Sequence, residues 1–514
     1  MSINFIANDP AAPGAVAQEI TPISDRATNK VGLDIVGLPP EAVYPITSND
    51  FVAWQARESA IRTLDIFETI AGPISGWRGK AGELKLALYP NAGQDLNAYY
   101  DRASVSFFVF PLKKALIYSG ASTDVVAHEV GHAILDALRP DLWNVSMLEV
   151  GAFHEGFGDC MAIMTALSDA DIREDILKND PMLISANYVE ATAEQLSETI
   201  AKAVSSTHNA AEPRRGRNNF KWAFPQSLPS DGKPGALINE VHSFGQLTSG
   251  CYYDLILEIF RESGGGTDGL WSACKIATRL LAAGARAAPV KPRFLDSVGR
   301  AMILADRAER TKPDGTGLNE VHIKTAFANH GIQLSSVGML VPGAVLSTPN
   351  RKKARRAKKS SALSTSARNA LRSIFNVDVD ARIFTRDFAL GVDAETEVTS
   401  YRQVDLSGID DKLDHVKAYA PQVALVGNVG GSTAILGAVD PAASISSEVR
   451  DFVETLVQRK QIDFAAAAKS PKASSAGAAD YLAYGERATH VVRRRGEELV
   501  LERAAFRCAC HVCK

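Results

Sequence analysis

Apolar residues recur at three- and four-residue intervals after residue 124, which is the spacing of one helix face. The members of this stripe are Val126, Val130, Ile134 and Ala137. Residues 122–124 read Ser-Thr-Asp and offer side-chain oxygens that cap a helix N-terminus, and Pro140 follows the expected end. The pattern predicts a helix whose opposite face carries two histidines.

The segments around this helix show two other patterns. Apolar residues at helical spacing, with charges between them, predict an amphipathic helix from residue 49 to about residue 70. Alternation predicts a strand over residues 83–89, and residues 105–110 are rich in side chains that favour strands. Beyond residue 159 the pattern is largely helical as far as about residue 332. We therefore expect strands before the histidine helix and helices after it.

The composition changes beyond about residue 349. Residues 351–359 contain seven basic residues in nine and predict a solvated domain linker, although such a run also suits nucleic acid, anionic lipid or a processing protease. Residues 422–426 and 432–436 have the pattern of strands, and an amphipathic helix follows near residue 450. Residues 490–502 have the pattern of a hairpin that turns at Gly496.

These shifts divide the chain into five parts. Residues 1–45 are expected to be a loosely ordered lead-in, and residues 46–340 form the main domain. A basic linker (349–365) separates this domain from a small α/β module (366–464). Residues 465–514 combine a low-complexity linker, the hairpin and a cysteine-rich tail.

Composition excludes several classes of protein. The 56 basic and 59 acidic residues nearly balance, so no specific nucleic-acid partner is expected, and no apolar run approaches the ~18 residues of a membrane span. The N-terminus lacks the pattern of a secretory signal, which predicts a cytoplasmic protein or one exported without a recognisable signal. Cys160, Cys251 and Cys274 lie in apolar surroundings and are expected to be buried thiols. The oligomeric state is left open.

The candidate chemistry begins with His128-Glu129-Val-Gly-His132. Two histidines four positions apart project from one helix face, about a turn apart, and can bind one metal ion. Glu129 lies between them, within reach of a metal-bound water. The motif alone is also compatible with an ordinary helix that carries two histidines.

A second segment, Gly151-Ala-Phe-His-Glu155-Gly-Phe-Gly-Asp159, strengthens the metal hypothesis. Glu155 and Asp159 are again four residues apart, so one helix would offer Glu155 as the third ligand and Asp159 as an acceptor for a ligand imidazole. Two histidines, one glutamate and an open fourth position are what a catalytic zinc ion requires. We predict a zinc site.

The last residues form a separate cluster of candidate ligands, Cys508, Cys510 and Cys513, next to His511. Thiolate and imidazole bind soft metal ions, but adjacent positions on so short a segment do not easily close a tetrahedral site alone. The tail is either an exposed reactive segment or a regulatory one that caps the zinc as a fourth ligand.

With these pieces placed, residues 45–335 resemble the thermolysin-like zinc metallopeptidases (gluzincins) and the related fungalysins. Four motifs occur in the family's order: Asn97-Ala98-Tyr99-Tyr100, the helix segment 124–133, the segment 151–159, and Glu240-Val-His242-Ser-Phe-Gly. The resemblance implies an α+β fold with a sheet-rich N-terminal lobe, a helical C-terminal lobe and zinc in the cleft between them. The small C-terminal α/β module is not covered.

The resemblance also implies residue roles. His128, His132 and Glu155 would bind Zn²⁺, and Glu129 would act as general base for the zinc-bound water. His242 would donate a hydrogen bond to the oxyanion. The remaining implied roles are Asp159 orienting His128, Asn97 and Ala98 pairing with the substrate backbone, and Arg214, Arg215 or Arg217 holding the substrate. Ca²⁺ is possible, but its loop motifs match weakly.

Several positions depart from the family pattern. The interval from His132 to Glu155 is longer than usual and contains no tyrosine to assist the oxyanion, its only large aromatic residue before Phe153 being Trp143. His154 stands where relatives often have asparagine, so the support of His132 is altered.

We expect a zinc-dependent metalloendopeptidase that hydrolyses peptide or protein substrates. The alternative, from another class, is a zinc-binding, peptidase-like protein that binds peptides or acts as a scaffold without turnover. The missing tyrosine and the additional C-terminal module favour that alternative.

Overall fold

A computed structural model gives the structure of the protein. The described residues are 2–113, 115–203, 214–232, 235–334, 369, 384–388, 395–429, 432–438, 442–464 and 488–507. Helices and strands both contribute, so the mixed α+β class predicted from the sequence is confirmed. Within these ranges, no helix is long and apolar enough to cross a membrane.

Most of the helices follow the histidine motif, as the periodicity predicted. The longer helices are α1 (Asn49–Ala71), α2 (Thr123–Leu138), α3 (Leu148–Ser168), α4 (Ala170–Asn179), α5 (Glu194–Ala203), α6 (Val241–Glu262), α7 (Thr267–Ala287), α8 (Phe294–Glu309), α9 (Glu320–Asn329) and α10 (Ala442–Gln458). The Ser122 side chain caps α2 by accepting a hydrogen bond from the Val125 backbone N–H at 3.3 Å.

The strands fall into two main groups along the chain. Those of the first group are β1 (Ile3–Phe5), β2 (Gln18–Ile20), β3 (Gly32–Ile35), β4 (Lys85–Tyr89), β5 (Ala98–Tyr100), β6 (Ser104–Phe107), β7 (Val109–Leu112), β8 (Ala115–Tyr118), β9 (Ala191–Thr192) and β10 (Arg214–Arg215). Those of the second are β11 (Phe384–Phe388), β12 (Glu395–Asp405), β13 (Val416–Val429), β14 (Ser432–Ala438), β15 (Ile462–Asp463), β16 (His490–Arg495), β17 (Glu498–Arg503) and β18 (Phe506–Arg507).

The first 45 residues are not the loosely ordered lead-in that the sequence suggested. β1 pairs with β2, and β3 adds in parallel to β4. The buried Gln55 side chain of α1 exchanges hydrogen bonds of 2.8 and 2.9 Å with the backbone of Ile6. Ile3 and Phe5 are buried. Apolar side chains in short strands tie this segment to α1, and such strands are too short to show periodicity in the sequence.

The helices that carry the candidate site approach each other through glycines. A Cβ atom built on Gly131 of α2 would lie 2.9 Å from the Cα of Gly158 in α3. One built on Gly158 would lie 2.6 Å from Nδ1 of His128, and one on Gly156 would lie 2.4 Å from the backbone oxygen of Gly245 in α6. Real Cβ contacts are longer than these, so α2, α3 and α6 can pack at this distance only with glycine at these positions.

The C-terminal strands form one sheet of seven, in the order β11-β12-β13-β17-β16-β15 with β14 also on β13. The boundary placed at residue 465 is therefore not a structural boundary, because β17 pairs in parallel with β13 and β16 pairs in parallel with β15. The predicted hairpin is present, with Gly496 at a φ of 63° in its turn.

The chain then returns to the N-terminal half of the molecule. β18 follows β17 closely and joins a five-stranded sheet in the order β18-β5-β6-β4-β3. Residues 506–507, which follow the C-terminal sheet in the chain, thus pair with β5, one of the strands that precede the histidine helix.

Candidate active site

His128, Glu129 and His132 form a buried cluster on α2. One ligand atom from each of the three lies within 4.8 Å of the others, and no second group of three such residues occurs in the described part of the chain. The two imidazole rings are 4.7 Å apart and nearly perpendicular. All three side chains are fully buried. Helical spacing thus brings the predicted residues together as expected.

Glu155 reaches the same point from α3. Its Oε2 atom lies 3.3 Å from Nε2 of His128 and 3.7 Å from Nε2 of His132. Two atoms bound to one tetrahedral zinc ion at about 2.0–2.1 Å lie roughly 3.3 Å apart. These three atoms are buried and have no hydrogen-bond partner among the described residues. Because buried polar atoms are normally paired, the arrangement fits a metal ion.

His128 is held by charged neighbours. Its Nδ1–H faces Oδ1 of Asp159 at 2.9 Å, and the Arg214 guanidinium donates to the same carboxylate at 3.0 Å. Burial would raise the pKa of Asp159, but Arg214 and His128 lower it. Burial and Arg214 would lower the pKa of His128, whereas Asp159 and Glu155 raise it to about 9. In the neutral form that binds a metal ion, a proton on Nδ1 would leave the lone pair of Nε2 free to act as the ligand.

His132 has different surroundings. Both of its ring nitrogens lack a hydrogen-bond partner among the described residues, and so do both ring nitrogens of the neighbouring His154. The ring of Phe506 stacks on His132 at 4.6 Å and on His154 at 4.2 Å. Burial is the main reason why the pKa of each of these histidines falls well below its usual value.

Glu129 lies among these groups without a hydrogen-bond partner in the described structure. Burial raises the pKa of its carboxyl to about 8, the charge of His128 opposes that rise, and Glu155 adds to it. A carboxyl group with a pKa near neutrality can both accept and return a proton.

His242, near the start of α6, completes the cluster. Its Nδ1 lies 2.7 Å from Oε1 of Glu240, and its Nε2 lies 2.6 Å from the backbone oxygen of Arg507. Both partners only accept hydrogen bonds, so both ring nitrogens donate and the ring is an imidazolium. Burial opposes this charge, but Glu155 and Glu240 raise the pKa of His242 to about 9. His242 and Glu240 form a charged pair. Burial would raise the pKa of the Glu240 carboxyl, but the charge of His242 and its hydrogen bond lower that pKa to about 2.

The predicted substrate strand is not an open edge. Ala98 lies in β5, which pairs with β6 on one side and with β18 on the other. Asn97 and Ala98 are buried, and the Asn97 Oδ1 atom accepts a hydrogen bond from the Ala98 backbone N–H at 2.9 Å. Residues 506–507 of the same chain cover the side of β5 that faces away from β6, and the pairing of Asn97 and Ala98 with a substrate backbone stays a prediction.

The three candidate arginines have different partners and lie at different distances from the metal cluster. Arg214 contacts Asp159 beside the metal cluster, as described above. Arg215 pairs with Glu190 at 3.2 Å, and the Arg217 guanidinium donates to the backbone oxygen of Leu183. Arg214 is therefore the arginine nearest the site, and it holds a carboxylate of the protein. Its contact with a substrate stays a prediction.

The predicted cysteines fall into two groups, one within the described residues and one outside them. Cys160, Cys251 and Cys274 are buried free thiols, as predicted. Cys508, Cys510 and Cys513 lie outside the described residues. His322 lies away from the site and bonds to Glu262 at the other end of α6.

Residues 100–335 match the model of one known family, the fungalysin metallopeptidases (M36). This region is similar to the fungalysins. The predicted resemblance to thermolysin-like zinc metallopeptidases is confirmed by that match and by the His128, Glu129 and His132 cluster. A search of curated proteins gave no match. The family match and the histidine cluster together support a zinc metallopeptidase, a class of enzyme that acts on peptides or proteins.

Sequence reasoning missed two contributors to the site, Trp143 and Phe506. Trp143 meets Phe506 edge-to-face at 5.4 Å, and the two residues are more than 360 positions apart. The sequence carried one indirect signal: the interval from His132 to Glu155 contains Trp143 but no tyrosine, and His154 stands where relatives often have asparagine. The structure shows that these two departures contact the same ring, Phe506.

Proposed function

We propose that the fungalysin-like region is a zinc-dependent endopeptidase in which Glu129 activates the attacking water. The observation that carries the proposal is the convergence of three unpaired buried atoms, Nε2 of His128, Nε2 of His132 and Oε2 of Glu155. A carboxylate base and an imidazolium donor lie beside them. This is the set of groups that peptide hydrolysis requires.

His128, His132 and Glu155 would hold the zinc ion. Zinc in that position would polarise the scissile carbonyl and lower the pKa of a bound water. Asp159 would fix the ring of His128 through its Nδ1–H, with Arg214 holding Asp159 in place. The described residues offer His132 no comparable acceptor, so its orientation depends on packing.

The chain's own residues supply the proton transfers and the charge stabilisation. The Glu129 carboxylate would accept a proton from the attacking water and then deliver it to the nitrogen of the departing amine. The Nε2–H of His242 would donate to the carbonyl oxygen as negative charge develops on it. A carbonyl oxygen already lies 2.6 Å from that nitrogen, which supports this placement.

The test is the variant Glu129→Gln. It preserves the side chain's shape but removes the proton acceptor, so zinc content should stay unchanged while peptide hydrolysis falls by about 10²- to 10⁴-fold. Metal content is measured by elemental mass spectrometry, and hydrolysis is measured on a peptide library by liquid chromatography and mass spectrometry.

Glu149→Gln is the matched control. Glu149 is also a buried carboxylate near the start of α3, but it accepts hydrogen bonds from Trp222 and from the backbone of Leu295. The Glu149→Gln variant should retain both its zinc content and its rate of peptide hydrolysis. If Glu129→Gln cleaves the library as fast as the native chain, the proposed mechanism is wrong.

A further inference from the structure

Residues 506–507 lie in the candidate site in the manner of an extended peptide. β18 runs antiparallel to β5, with Phe506 opposite Tyr100 and Arg507 opposite Tyr99. Proteins commonly bind an extended peptide by adding it as a strand to a sheet edge. Here the added strand belongs to the same chain.

The carbonyl group of Arg507 lies where the proposed reaction needs a carbonyl. Its oxygen is 2.6 Å from Nε2 of His242. That same nitrogen is 3.2 Å from Oε2 of Glu155, which is one of the three proposed zinc ligands. The oxygen of Arg507 is thus bound by the group that would stabilise an oxyanion.

The preceding residue is held in an aromatic pocket. The Phe506 side chain is 1% exposed, and its ring contacts His132, His154 and Trp143. The Arg503 guanidinium covers the same ring at 4.1 Å. These contacts fix the position of the strand along β5, and therefore fix which carbonyl reaches His242.

The chain that leads to this strand is anchored as well. The Trp143 indole N–H donates to the Arg503 backbone oxygen at 3.2 Å, and the Arg503 Nε–H donates to the Trp143 backbone oxygen at 3.3 Å. The backbone N–H of Ala504 donates to the oxygen of Thr489 at 2.8 Å. A tethered segment has a high effective concentration at its site, so it binds without a separate association step.

We propose that the protein's own C-terminal segment is a substrate of its active site, and that the peptide bond between Arg507 and Cys508 is cleaved. This inference rests on the proposed endopeptidase function. Water is the co-reactant: its oxygen bonds to the carbonyl carbon of Arg507, the C–N bond breaks, and both protons of the water pass by way of Glu129 to the nitrogen of Cys508, which leaves as an ammonium group. The products are a chain ending in the Arg507 carboxylate and the free peptide 508–514.

Cleavage would change the chemistry of the chain's end. The peptide released contains Cys508, Cys510 and Cys513, which are all the cysteines of the tail. It would release those thiols from the chain and leave Phe506 and Arg507 to be displaced by another peptide. The cysteine-rich tail is then a removable segment rather than a permanent metal ligand.

The first experiment measures the intact mass of the full-length, zinc-loaded chain over time. We expect the native chain to lose the mass of residues 508–514, with Arg507 as the new C-terminus in peptide mapping. Glu129→Gln should keep its tail. A native chain that retains its full mass while hydrolysing library peptides would overturn the inference and leave the proposed function intact.

The second experiment asks whether cleavage is intramolecular. Isotope-labelled Glu129→Gln is mixed with the native chain, and both masses are followed. The native chain should be trimmed at a rate that does not depend on protein concentration, while the labelled tail stays intact. Loss of the labelled tail at the native rate would overturn cleavage within one chain.

A third measurement distinguishes failure of this inference from failure of the endopeptidase proposal. Phe506→Lys places a charge in the aromatic pocket and should expel the strand, and Phe506→Ala is a second variant that buries no charge. Hydrogen exchange of residues 97–107 in an inactive Glu129→Gln background should rise in both, without reference to activity. Unchanged exchange contradicts occupation of the edge by β18. If neither these variants in an active background nor the native chain cleaves any peptide, the endopeptidase proposal itself fails.

Discussion

The candidate site contains two pairs of buried histidines that have different neighbours. One pair is His128 and His242, and the other is His132 and His154. Each histidine of the first pair has a carboxylate on Nδ1, at 2.9 Å from Asp159 or 2.7 Å from Glu240. The ring nitrogens of His132 and His154 have no such acceptor among the described residues, and Phe506 stacks on both rings. We call these pairs the charged side and the aromatic side.

The comparison shows what neighbouring carboxylates do to the pKa of a buried imidazole. Burial by itself disfavours the charged ring, and on the aromatic side it lowers the pKa of both histidines well below the usual value. On the charged side the carboxylates overcome the same burial and raise both pKa values to about 9. On the charged side each Nδ1–H is therefore held by a carboxylate, whereas on the aromatic side the histidines are held by packing against Phe506.

Among the variants that test this comparison, the largest expected effect comes from removing the donor on the charged side, with His242→Ala. If its Nε2–H stabilises developing charge, kcat for peptide hydrolysis should fall by about 10²- to 10³-fold. Zinc content should not change. Steady-state kinetics on one library peptide, with elemental analysis of the same sample, measures both.

His322→Ala is the control for His242→Ala. His322 is a mostly buried histidine that bonds to the carboxylate of Glu262, about 30 Å away along α6. It should leave kcat unchanged. Equal losses of kcat in the two variants would mean that His242 acts through stability alone. The proposed role of the charged side in stabilising the oxyanion would then be wrong.

The next effect concerns Asp159, the carboxylate that holds His128. Asp159→Asn keeps the shape but removes the charge, and we expect the dissociation constant for zinc to rise by about 10- to 100-fold. Competition with a chromophoric chelator measures this constant. The result would sharpen the comparison by showing that the charged side orients a metal ligand as well as the substrate donor.

Asp136→Asn is matched to Asp159→Asn for burial. Asp136 lies on the metal helix itself, but it pairs with Arg102 and Tyr100 instead of a histidine. It should lower stability and leave zinc affinity unchanged. A zinc dissociation constant that moves equally in both variants would contradict the specific role of Asp159.

The charged side was largely predictable from the sequence, and the aromatic side was not. Spacings of four residues within a helix place His128 near His132 and Glu155 near Asp159, and such local geometry follows from helical periodicity. Glu240 belongs to the same short motif as His242 and lies two residues before it, so their closeness also follows from the sequence. These relations need no knowledge of the rest of the chain beyond the packing of α2 against α3.

The aromatic side depends on contacts between distant parts of the chain. Trp143 meets Arg503 across 360 positions, and His242 meets Arg507 across 265. β18 has two residues, which is too few to show any periodicity. A strand of that length is recognisable only when its partner strand is known, so the sequence did not predict the pairing of residues 506–507 with β5.

The smallest expected effect tests the aromatic side directly, with Phe506→Leu. Leucine retains an apolar side chain in the pocket but loses ring stacking, which contributes about 0.5–1.5 kcal/mol beyond burial. In a Glu129→Gln background, hydrogen exchange of β5 and β18 should therefore be about two- to tenfold faster, while zinc affinity stays constant. Phe452→Leu is the control, because Phe452 packs edge-to-face on His490 in the C-terminal sheet and should leave exchange at β5 unchanged. Faster exchange at β5 in both variants would show that the strand is held by the stability of the C-terminal sheet, and not by the stacking of Phe506 on the two histidines.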